Sequence, residues 1–482
     1  MDLWIYFLLG FVAIIAVLLF VIIIRTLSFK PCDSVKVIEE EVRFEEQKAV
    51  ESLRELVRCK TVSFKDSSLE DNREFEKLIS KLPQLYPNVF EKCEFKQLPD
   101  RALLFKWEGK KHDAPTVLMA HYDVVPVDEA AWEKPPFDAV LEDGVIWGRG
   151  TLDTKVTFNG VLFSADTLIS EDFIPENDIY FAFSGGEEVN GNGAVNIVDY
   201  FAENNIEPAL VLDEGGAVVE NVFPGVKAPC GLIGIAEKGL MDVEYRCKTS
   251  GGHASAPKPN MPIALLSDAC CKMERNPFKA HLTQPVALMF DTLGRHSTFV
   301  YRMIFANLWA FSGILDIICK KSGGELNALM RTTVAFTQMQ GSNAANVIPT
   351  EAKMISNIRL NPNDTVESAI DYIKKTVNNE KVEIKALHGT NPSRISTTDC
   401  DGWQRVATAV ASTWKGTVVS PYLMVQCSDS RHYGRISDKV YRFSAMDLTS
   451  EERATIHGNN ERIRVEAVAR TVEFYIRLMK QC

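Results

Sequence analysis

The sequence predicts an α/β fold built on a central, mostly parallel sheet, with a smaller α+β domain inserted into it. Continuous apolar runs occupy residues 116–120, 179–183 and 209–212, and helical patterns at residues 156–170 and 193–204 alternate with them. Apolar runs of four to eight residues are typical of strands buried on both faces of a parallel sheet. Their alternation with helices indicates crossover units that bring parallel strands together.

A change of pattern near Gly234 predicts the inserted domain. The following segment has the order strand, helix, strand, strand, helix, strand, with elements predicted at residues 240–247, 261–273, 333–339, 353–360, 366–377 and 381–387. This βαββαβ order is the ferredoxin-like arrangement. The chain returns to the first domain near Pro392.

Residues 277–325 are additional to that pattern. Within them, residues 299–318 are strongly apolar and aromatic, and Arg302 and Asn307 interrupt the run. A buried helix or a dimer contact is one interpretation. A lipid-facing surface or a groove for an acyl chain is the alternative.

The N-terminal residues 3–24 are apolar, carry no charge and are long enough to span a bilayer, which takes about 20 residues. They lack a basic leading segment and an obvious cleavage site, so an uncleaved anchor is favoured over a removed signal peptide. The sequence thus divides into an anchor, a charged stalk, a first part of the α/β domain, the inserted domain and a second part of the α/β domain, at residues 3–24, 25–48, 49–234, 235–391 and 392–482.

Composition agrees with a large folded protein of two domains. The chain has 482 residues, of which 46% are hydrophobic, and this is enough for two cores. The net charge of −11 argues against nucleic-acid binding. Eleven cysteines without compact spacing do not indicate a disulfide framework.

Polar side chains follow each of the three predicted strands. The first strand is followed by His121, the second by Glu187 and Glu188, and the third by Asp213 and Glu214. Because sites in open α/β sheets form beyond the carboxyl ends of the strands, these groups should meet at one edge.

With two further residues, these groups form a candidate binuclear metal site. The candidate ligands are His121, Asp153, Glu188, Asp213 and His457. Zinc binds imidazole and carboxylate groups, and two ions about 3.5–4 Å apart need a carboxylate between them. Glu187 is left over as a candidate base.

Each residue also has an ordinary structural explanation. Asp153 precedes a helical stretch and could be its N-cap. His457 could be a turn residue, and adjacent glutamates are usually solvated. These explanations do not account for the placement of the groups at the ends of several strands, which favours the metal site.

Several segments together resemble the M20 family of zinc metallopeptidases and aminoacylases. The segments are residues 121–126, 147–153, 184–188 and 212–215, and the similarity extends from about residue 49 to the C-terminus. Residues 430–433 and 456–462 resemble the carboxypeptidase S branch of that family. The resemblance implies a zinc-exopeptidase-like catalytic domain and a lid domain that also dimerises.

The resemblance also implies individual roles. Asp153 would bridge two zinc ions, His121 and Asp213 would complete one site, and Glu188 and His457 would complete the other. Either Asp213 or Glu214 could be the ligand; neighbouring strand residues point in opposite directions, so only one is expected to serve. We choose Asp213.

Other residues would act around the metals. Asp123 would accept the free ring N–H of His121 and fix its tautomer. Glu187 would take a proton from water that zinc activates and pass it to the leaving nitrogen. By resemblance, His253 would support the oxyanion across a dimer interface, Arg359 would bind the substrate carboxylate, and Asn346 would contact substrate or partner.

The sequence therefore predicts a zinc-dependent hydrolase that releases a C-terminal amino acid from a peptide or an N-acyl amino acid. The first alternative is an enzyme that mainly hydrolyses or synthesises N-fatty-acyl amino acids. The second is a catalytically silent, membrane-anchored binding protein. Arg25 and Lys30 after the anchor favour a cytosolic catalytic domain. That rule is weak for large domains, and the family branch includes secreted enzymes, so we expect a lumenal or extracellular one.

Overall fold

A computed structural model describes residues 3–31, 35–221 and 223–482. Its strands, numbered in chain order, are β1 (Glu94–Leu98), β2 (Ala102–Trp107), β3 (Lys111–His121), β4 (Val140–Glu142), β5 (Val145–Trp147), β6 (Asn177–Ser184), β7 (Leu210–Val219), β8 (Cys230–Glu237), β9 (Gly239–Lys248), β10 (Gly252–His253), β11 (Thr333–Gln340), β12 (Val347–Ile348), β13 (Glu351–Leu360), β14 (Glu383–Thr390), β15 (Val418–Met424), β16 (Val440–Leu448) and β17 (Arg462–Arg464).

The helices are numbered in the same way. They are α1 (Leu3–Ser28), α2 (Glu46–Val57), α3 (Asn72–Leu85), α4 (Pro87–Lys92), α5 (Lys155–Ser170), α6 (Gly193–Glu203), α7 (Pro262–Arg275), α8 (Gln284–His296), α9 (Phe299–Ala306), α10 (Leu308–Ser322), α11 (Gly324–Met330), α12 (Val366–Val377), α13 (Asp401–Thr413), α14 (Ser450–Arg453) and α15 (Val465–Met479).

The predicted mostly parallel sheet is confirmed. It has eight strands in the order β1-β2-β6-β3-β7-β16-β8-β15. The central strands β6, β3 and β7 run parallel, so their carboxyl ends lie at one edge. Every residue of β6 is buried, as expected for a strand covered on both faces.

Helices cover both faces of this sheet. On one side, Ile233 and Ile235 of β8 belong to a core cluster that includes residues of α5, α13 and α15. On the other side, Leu232 and Ala236 belong to a cluster with residues of α8. Successive residues of one strand thus supply two cores because strand side chains alternate between faces.

The inserted domain has the predicted ferredoxin-like arrangement. Its sheet has the order β11-β13-β9-β14, and all its pairings are antiparallel. Along β9 and β13, buried and partly buried residues alternate, because helices cover only one face. α7 and α12 pack together on that face and complete a separate core.

The segment predicted as a stalk, residues 25–48, does not stand free of the α/β domain. α1 continues to Ser28, and Phe29 packs against a core cluster. Further along, the backbone N–H of Ile38 donates to Ser412 (2.9 Å), and Arg477 donates to the Ile38 carbonyl (3.1 Å). Long-range backbone contacts of this kind cannot be read from the charge of the segment.

The apolar run at residues 299–318 is not one helix. It forms α9 and most of α10, whose axes are bent by 111° at a break that contains Asn307. Among the described residues, Tyr6–Ser28 is the one single helix long and apolar enough to cross a membrane, and α9 with α10 meets that test only as a bent pair.

A buried lysine joins the two domains at the point where β8 leads into β9. The ammonium group of Lys238 donates to the carbonyls of Ala328 and Arg331, at the end of α11, each at 2.8 Å. Burial, with the positive charge of Arg359 nearby, lowers the pKa of Lys238 to about 7. Lys238 thus bonds the start of the inserted domain to the segment that leads into β11.

The pKa of Lys238 predicts a dependence of stability on pH. Above pH 7 the folded protein releases this proton, whereas the unfolded chain keeps it up to about pH 10.4. The unfolded state therefore binds more protons in this window, and the free energy of unfolding gains about 1.4 kcal/mol per pH unit from this group. Below pH 7 both states hold this proton, so the group adds no pH dependence to the free energy of unfolding.

Urea denaturation between pH 7 and 9 measures this slope. We expect the wild type to gain stability with rising pH relative to Lys238→Met, while the exposed control Lys375→Met follows the wild type. Parallel slopes for the wild type and Lys238→Met would contradict the lowered pKa.

Candidate metal centre

The carboxylate of Asp153 lies between two imidazoles. Its Oδ1 is 3.0 Å from Nε2 of His121, and its Oδ2 is 2.9 Å from Nε2 of His457. These two histidines are far apart in sequence, one at the end of β3 and one in the loop after α14. Asp153 therefore occupies the position expected of a bridging ligand.

A further carboxylate approaches each imidazole. Glu214 Oε1 is 3.2 Å from Nε2 of His121, and Glu188 Oε2 is 3.1 Å from Nε2 of His457. Potential ligand atoms of His121, Glu187 and Glu214 lie within 4.8 Å of one another, as do those of His121, Asp153 and Glu188. The arrangement has two imidazole–carboxylate halves that share Asp153.

The structure places Glu214, rather than the chosen Asp213, beside His121. Asp213 is 2% exposed and points away, where its Oδ2 accepts a hydrogen bond of 2.9 Å from the backbone N–H of Ser430. Both residues belong to β7, so their side chains leave opposite faces of the strand. The alternation of side chains along the strand predicted that only one of the two acids would face the site. The structure shows that Glu214 is the one on the side of His121.

Three adjacent parallel strands position most side chains of the candidate site. His121 is the last residue of β3, and Glu187 and Glu188 begin a 3-10 turn directly after β6. Glu214 lies in β7 two residues beyond Leu212, the last residue of that strand to pair with β3. The predicted convergence at one sheet edge is therefore present.

Asp123 orients two parts of the site. Nδ1 of His121 is 3.0 Å from the Asp123 carbonyl oxygen and 3.4 Å from its carboxylate. The Asp123 carboxylate accepts hydrogen bonds from the backbone N–H groups of Glu187 (3.1 Å) and Glu188 (3.2 Å). The fully buried Asp123 thus orients the imidazole and also holds the turn that carries the two glutamates.

A buried ion pair connects the two loops that hold Asp153 and His457. Arg149 Nη1 lies 2.6 Å from Glu461 Oε2, and its Nη2 donates to the Gly458 carbonyl at 2.7 Å. The other oxygen of Glu461 accepts from the backbone N–H groups of Leu152 (2.7 Å) and Asp153 (3.2 Å). Both charged side chains are at most 2% exposed. The pair therefore sets the distance between a bridging and a terminal candidate ligand.

Burial makes several of these carboxyl groups difficult to ionise. It raises the pKa of Glu187 well above its usual value, and the negative charges of Asp429 and Glu214 add to the effect while His121 opposes it. Burial also raises the pKa of Glu214 to about 7 and that of Asp429 to about 6. Asp429 accepts a hydrogen bond from the Ser184 hydroxyl at the end of β6.

The residues fit a pair of divalent cations. Oε1 of Glu188 is buried and has no hydrogen-bond partner. Crowded, desolvated carboxylates are stabilised by a nearby positive charge. Imidazole and carboxylate donors are those that zinc accepts, and the carboxylate of Asp153 can contact both ions. A metal pair would thus use the unpartnered oxygen of Glu188 and offset the excess negative charge.

A cavity of about 590 Å³ opens beside these groups. Asp153, Glu187, Glu188, Glu214 and His457 line its polar end. The rest of its wall is largely apolar and includes Ala217, Val219, Leu232, Tyr422, Met424, Met446, Leu448 and Ile456. The cavity can therefore hold a substrate with one polar and one apolar part.

The three predicted substrate-binding residues lie in the lid and are not among the residues that line this cavity. Arg359 lies 3.6 Å from the sulfur of Cys427, which does line it. His253 and Asn346 are neighbours, because the backbone N–H of Ala254 donates to the Asn346 carbonyl, and both are exposed. The structure thus brings Arg359 to the cavity margin and leaves His253 and Asn346 outside it.

Three residues around the site, Arg149, Glu461 and Asp429, have no role predicted from the sequence. Arg149 and Glu461 each lie four residues from a predicted ligand, Asp153 and His457 respectively. Their proximity to ligands was a usable signal, but only the fold shows that they pair. Asp429 had no comparable signal.

Comparison with known proteins identifies a family for this chain. The family model "Peptidase family M20/M25/M40" matches residues 117–481. "Probable carboxypeptidase S-like 2" of Dictyostelium discoideum is 35% identical over 431 residues, covering 87% of this chain and 82% of that protein. "N-fatty-acyl-amino acid synthase/hydrolase PM20D1" of Xenopus tropicalis is 35% identical over 487 residues, covering 98% and 94%.

Solved structures share the fold at lower identity. An M20 family metallo-carboxypeptidase from Sulfolobus solfataricus has a TM-score of 0.64 at 18% identity, and the match covers 91% of this chain and 99% of that one. The Bacillus subtilis YXEP protein, described as a dinuclear metal-binding peptidase, has a TM-score of 0.54 at 13% identity, covering 90% and 97%.

The Arg149–Glu461 pair predicts a large loss of stability when one partner is removed. Arg149→Met should lower the free energy of unfolding by about 3–5 kcal/mol, because the buried Glu461 carboxylate loses its charged partner. The control Arg435→Met removes a surface pair with Asp199 and should cost less than about 1 kcal/mol. Urea denaturation of the two variants measures the difference; equal effects would show that the buried pair is not a structural clamp.

Proposed function

The chain belongs to the peptidase family M20/M25/M40, and we propose that it hydrolyses the amide bond joining a C-terminal amino acid to a peptide or acyl group. One observation carries the proposal. Asp153 lies between His121 and His457, each imidazole has a second carboxylate, and the extra carboxylate of Glu187 lies among them. This set would provide two metal positions and a general base.

We assign the ligands from these contacts. His121 and Glu214 would hold one zinc ion, His457 and Glu188 the other, and Asp153 both. Bound zinc would polarise the substrate carbonyl and lower the pKa of water. The description of the YXEP protein as dinuclear supports the count of two.

Glu187 is the proposed general base. It follows β6 and lines the cavity, and its backbone is held by the Asp123 carboxylate. Its carboxylate would accept a proton from the attacking water and return it to the leaving nitrogen. The carboxylate of neighbouring Glu188 contacts His457, so Glu187 is the glutamate of this turn that we assign to proton transfer.

The lid would supply the contacts to the substrate carboxylate. The guanidinium of Arg359 lies at the cavity margin beside Cys427, and a guanidinium can bind a carboxylate through two hydrogen bonds. His253 and Asn346 lie together on the exposed side of the lid. In a homodimer they would reach the cavity of the partner subunit, with His253 donating to the developing oxyanion.

A second candidate function is the hydrolysis or synthesis of N-fatty-acyl amino acids. The observation that favours it is the apolar wall of the cavity, which includes Val219, Leu232, Met424 and Met446. A long acyl chain would bury apolar surface there. The printed name of the Xenopus tropicalis relative agrees with this activity.

We also propose that α1 anchors the enzyme in a membrane, with the catalytic domain on the lumenal or extracellular side. The helix Tyr6–Ser28 is long and apolar enough to span a bilayer. Its side chains have few partners: Trp4, Phe7 and Phe20 are all exposed.

A substrate panel with a base variant tests the activity. The zinc-loaded protein should release the C-terminal amino acid from short peptides, acetyl-amino acids or oleoyl-amino acids, and the preferred group separates the two candidate functions. Glu187→Gln should lower kcat about 10²–10⁴-fold, since it removes the proton carrier. Zinc content by elemental analysis should stay at the wild-type level. Unchanged turnover would exclude Glu187 as the base, and no turnover of any substrate by the wild type would contradict the proposed function.

Zinc content also tests the choice between the two neighbouring acids. Glu214→Ala should lose one of the two zinc equivalents, because it removes a ligand from the His121 position. Asp213→Asn should keep both, since Asp213 contacts Ser430 instead. If elemental analysis showed loss of zinc from Asp213→Asn but not from Glu214→Ala, Asp213 would be the ligand instead.

A further inference from the structure

The two helices α9 and α10, here named the elbow, carry an apolar surface that the catalytic site does not use. The side chains of Trp309, Ile314 and Ile317 are 54%, 53% and 65% exposed. Phe299 and Val300 on α9 are also exposed. The elbow therefore presents large apolar groups along both of its arms.

The opposite sides of both arms already supply the core. Phe305 of α9 packs against Phe223 and Phe290, and Leu315 of α10 belongs to the same cluster. A surface helix normally has polar residues opposite its buried stripe. Packing within this chain thus accounts for the apolar residues on the inner sides of the elbow. It does not account for the exposed apolar residues on the outer sides.

The bend of the elbow is bonded to the end of α1. Asn307 Nδ2 donates to the Ile22 carbonyl and to the Thr26 hydroxyl, both at 3.2 Å. Arg25 Nε donates to the Ala306 carbonyl at 3.2 Å. Ile22 lies six residues before Ser28, the end of α1, which corresponds to about 9 Å along the helix axis.

Contacts just after α1 restrict rotation of the rest of the protein about the junction between α1 and the elbow. Phe29 packs into the cluster that also contains Phe305, and the Arg295 guanidinium lies 4.4 Å from the Phe29 ring centroid. Arg295 also donates to the Lys30 carbonyl at 3.1 Å. The direction of α1 thus sets the orientation of the elbow.

Charges at the edge of the elbow suit a lipid headgroup region. Arg25 and Lys30 are exposed at the end of α1, and Lys321 is exposed at the end of α10. Basic groups beside exposed tryptophan and aliphatic residues are typical of helices that lie in a membrane interface.

We propose that the elbow is a second membrane contact of this protein. The outer sides of α9 and α10 lie in the interfacial zone of the leaflet in which the C-terminal end of α1 ends. The occupant of the apolar surface is the bilayer that holds α1, because the bend is bonded to the last turns of that helix. The inference rests on the proposed membrane anchoring by α1 and is independent of catalysis.

Photo-crosslinking of the full chain in nanodiscs of phosphatidylcholine and phosphatidylserine tests the proposal. The photoreactive p-benzoyl-phenylalanine replaces Trp309 or Ile317 in the elbow, Phe20 in α1 as the membrane control, or Leu69 as the control outside both. Leu69 matches Ile317 in exposure, at 63% against 65%, but lies in a surface turn of the catalytic domain. Mass spectrometry identifies the partner of each adduct.

We expect lipid adducts from positions 20, 309 and 317, several-fold above those from position 69. Protein–protein adducts at 309 and 317 would assign the surface to a second copy and overturn the proposal. It would equally be overturned if lipid adducts formed at position 20 but not in the elbow. The absence of lipid adducts at position 20 would remove the anchor in α1 and the proposal with it. Because all four positions are exposed, each variant should keep the wild-type melting temperature, which is measured beforehand.

Discussion

The buried ion pair between Arg149 and Glu461 is the interaction on which the site depends. It joins residues 312 positions apart and closes the two loops that carry Asp153 and His457. Glu461 uses its second oxygen to hold the backbone of Asp153 itself. A charged pair buried this deeply stabilises a structure only when its remaining hydrogen bonds are made. Here backbone groups bond to both oxygens of Glu461 and to Nη2 of Arg149, while Nε of Arg149 has no hydrogen-bond partner.

Rigid elements position the remaining groups. The edge formed by β6, β3 and β7 places His121, Glu187 and Glu214 without any long loop. His457, by contrast, lies in a loop with a left-handed backbone (φ 58°), and its side chain is about half exposed. The site therefore combines a fixed half on the sheet with a half that the Arg149–Glu461 pair holds in place.

A buried lysine, bonded to backbone carbonyl oxygens, holds the start of the lid. Lys238 binds the end of α11 at the entrance to the lid, and Glu325 and Ala328 of that helix line the cavity beside the candidate metal site. α11 in turn follows α10 of the elbow after a single residue, Gly323. The elbow, the cavity wall and the contact with Lys238 are thus consecutive in the chain. A displacement of one of them would therefore displace its neighbours.

The sequence by itself determined the local features of this protein. Apolar runs identified the strands and the edge at which their polar residues meet, and alternating patterns identified the ferredoxin-like lid. The candidate residues His121, Asp153, Glu188 and His457, which the structure brings together, were also found from sequence. These features were accessible because periodicity and turn residues act over a few neighbouring positions.

Only the tertiary structure decided the features that depend on distant partners. Alternation along β7 required that one of Asp213 and Glu214 face the site, but the position of His121 selected Glu214. The pairing of Arg149 with Glu461, the packing of the predicted stalk and the sharp bend at Asn307 follow from contacts between segments far apart in the chain. Sequence patterns contain no direct record of such contacts, because chain folding alone sets which surfaces meet.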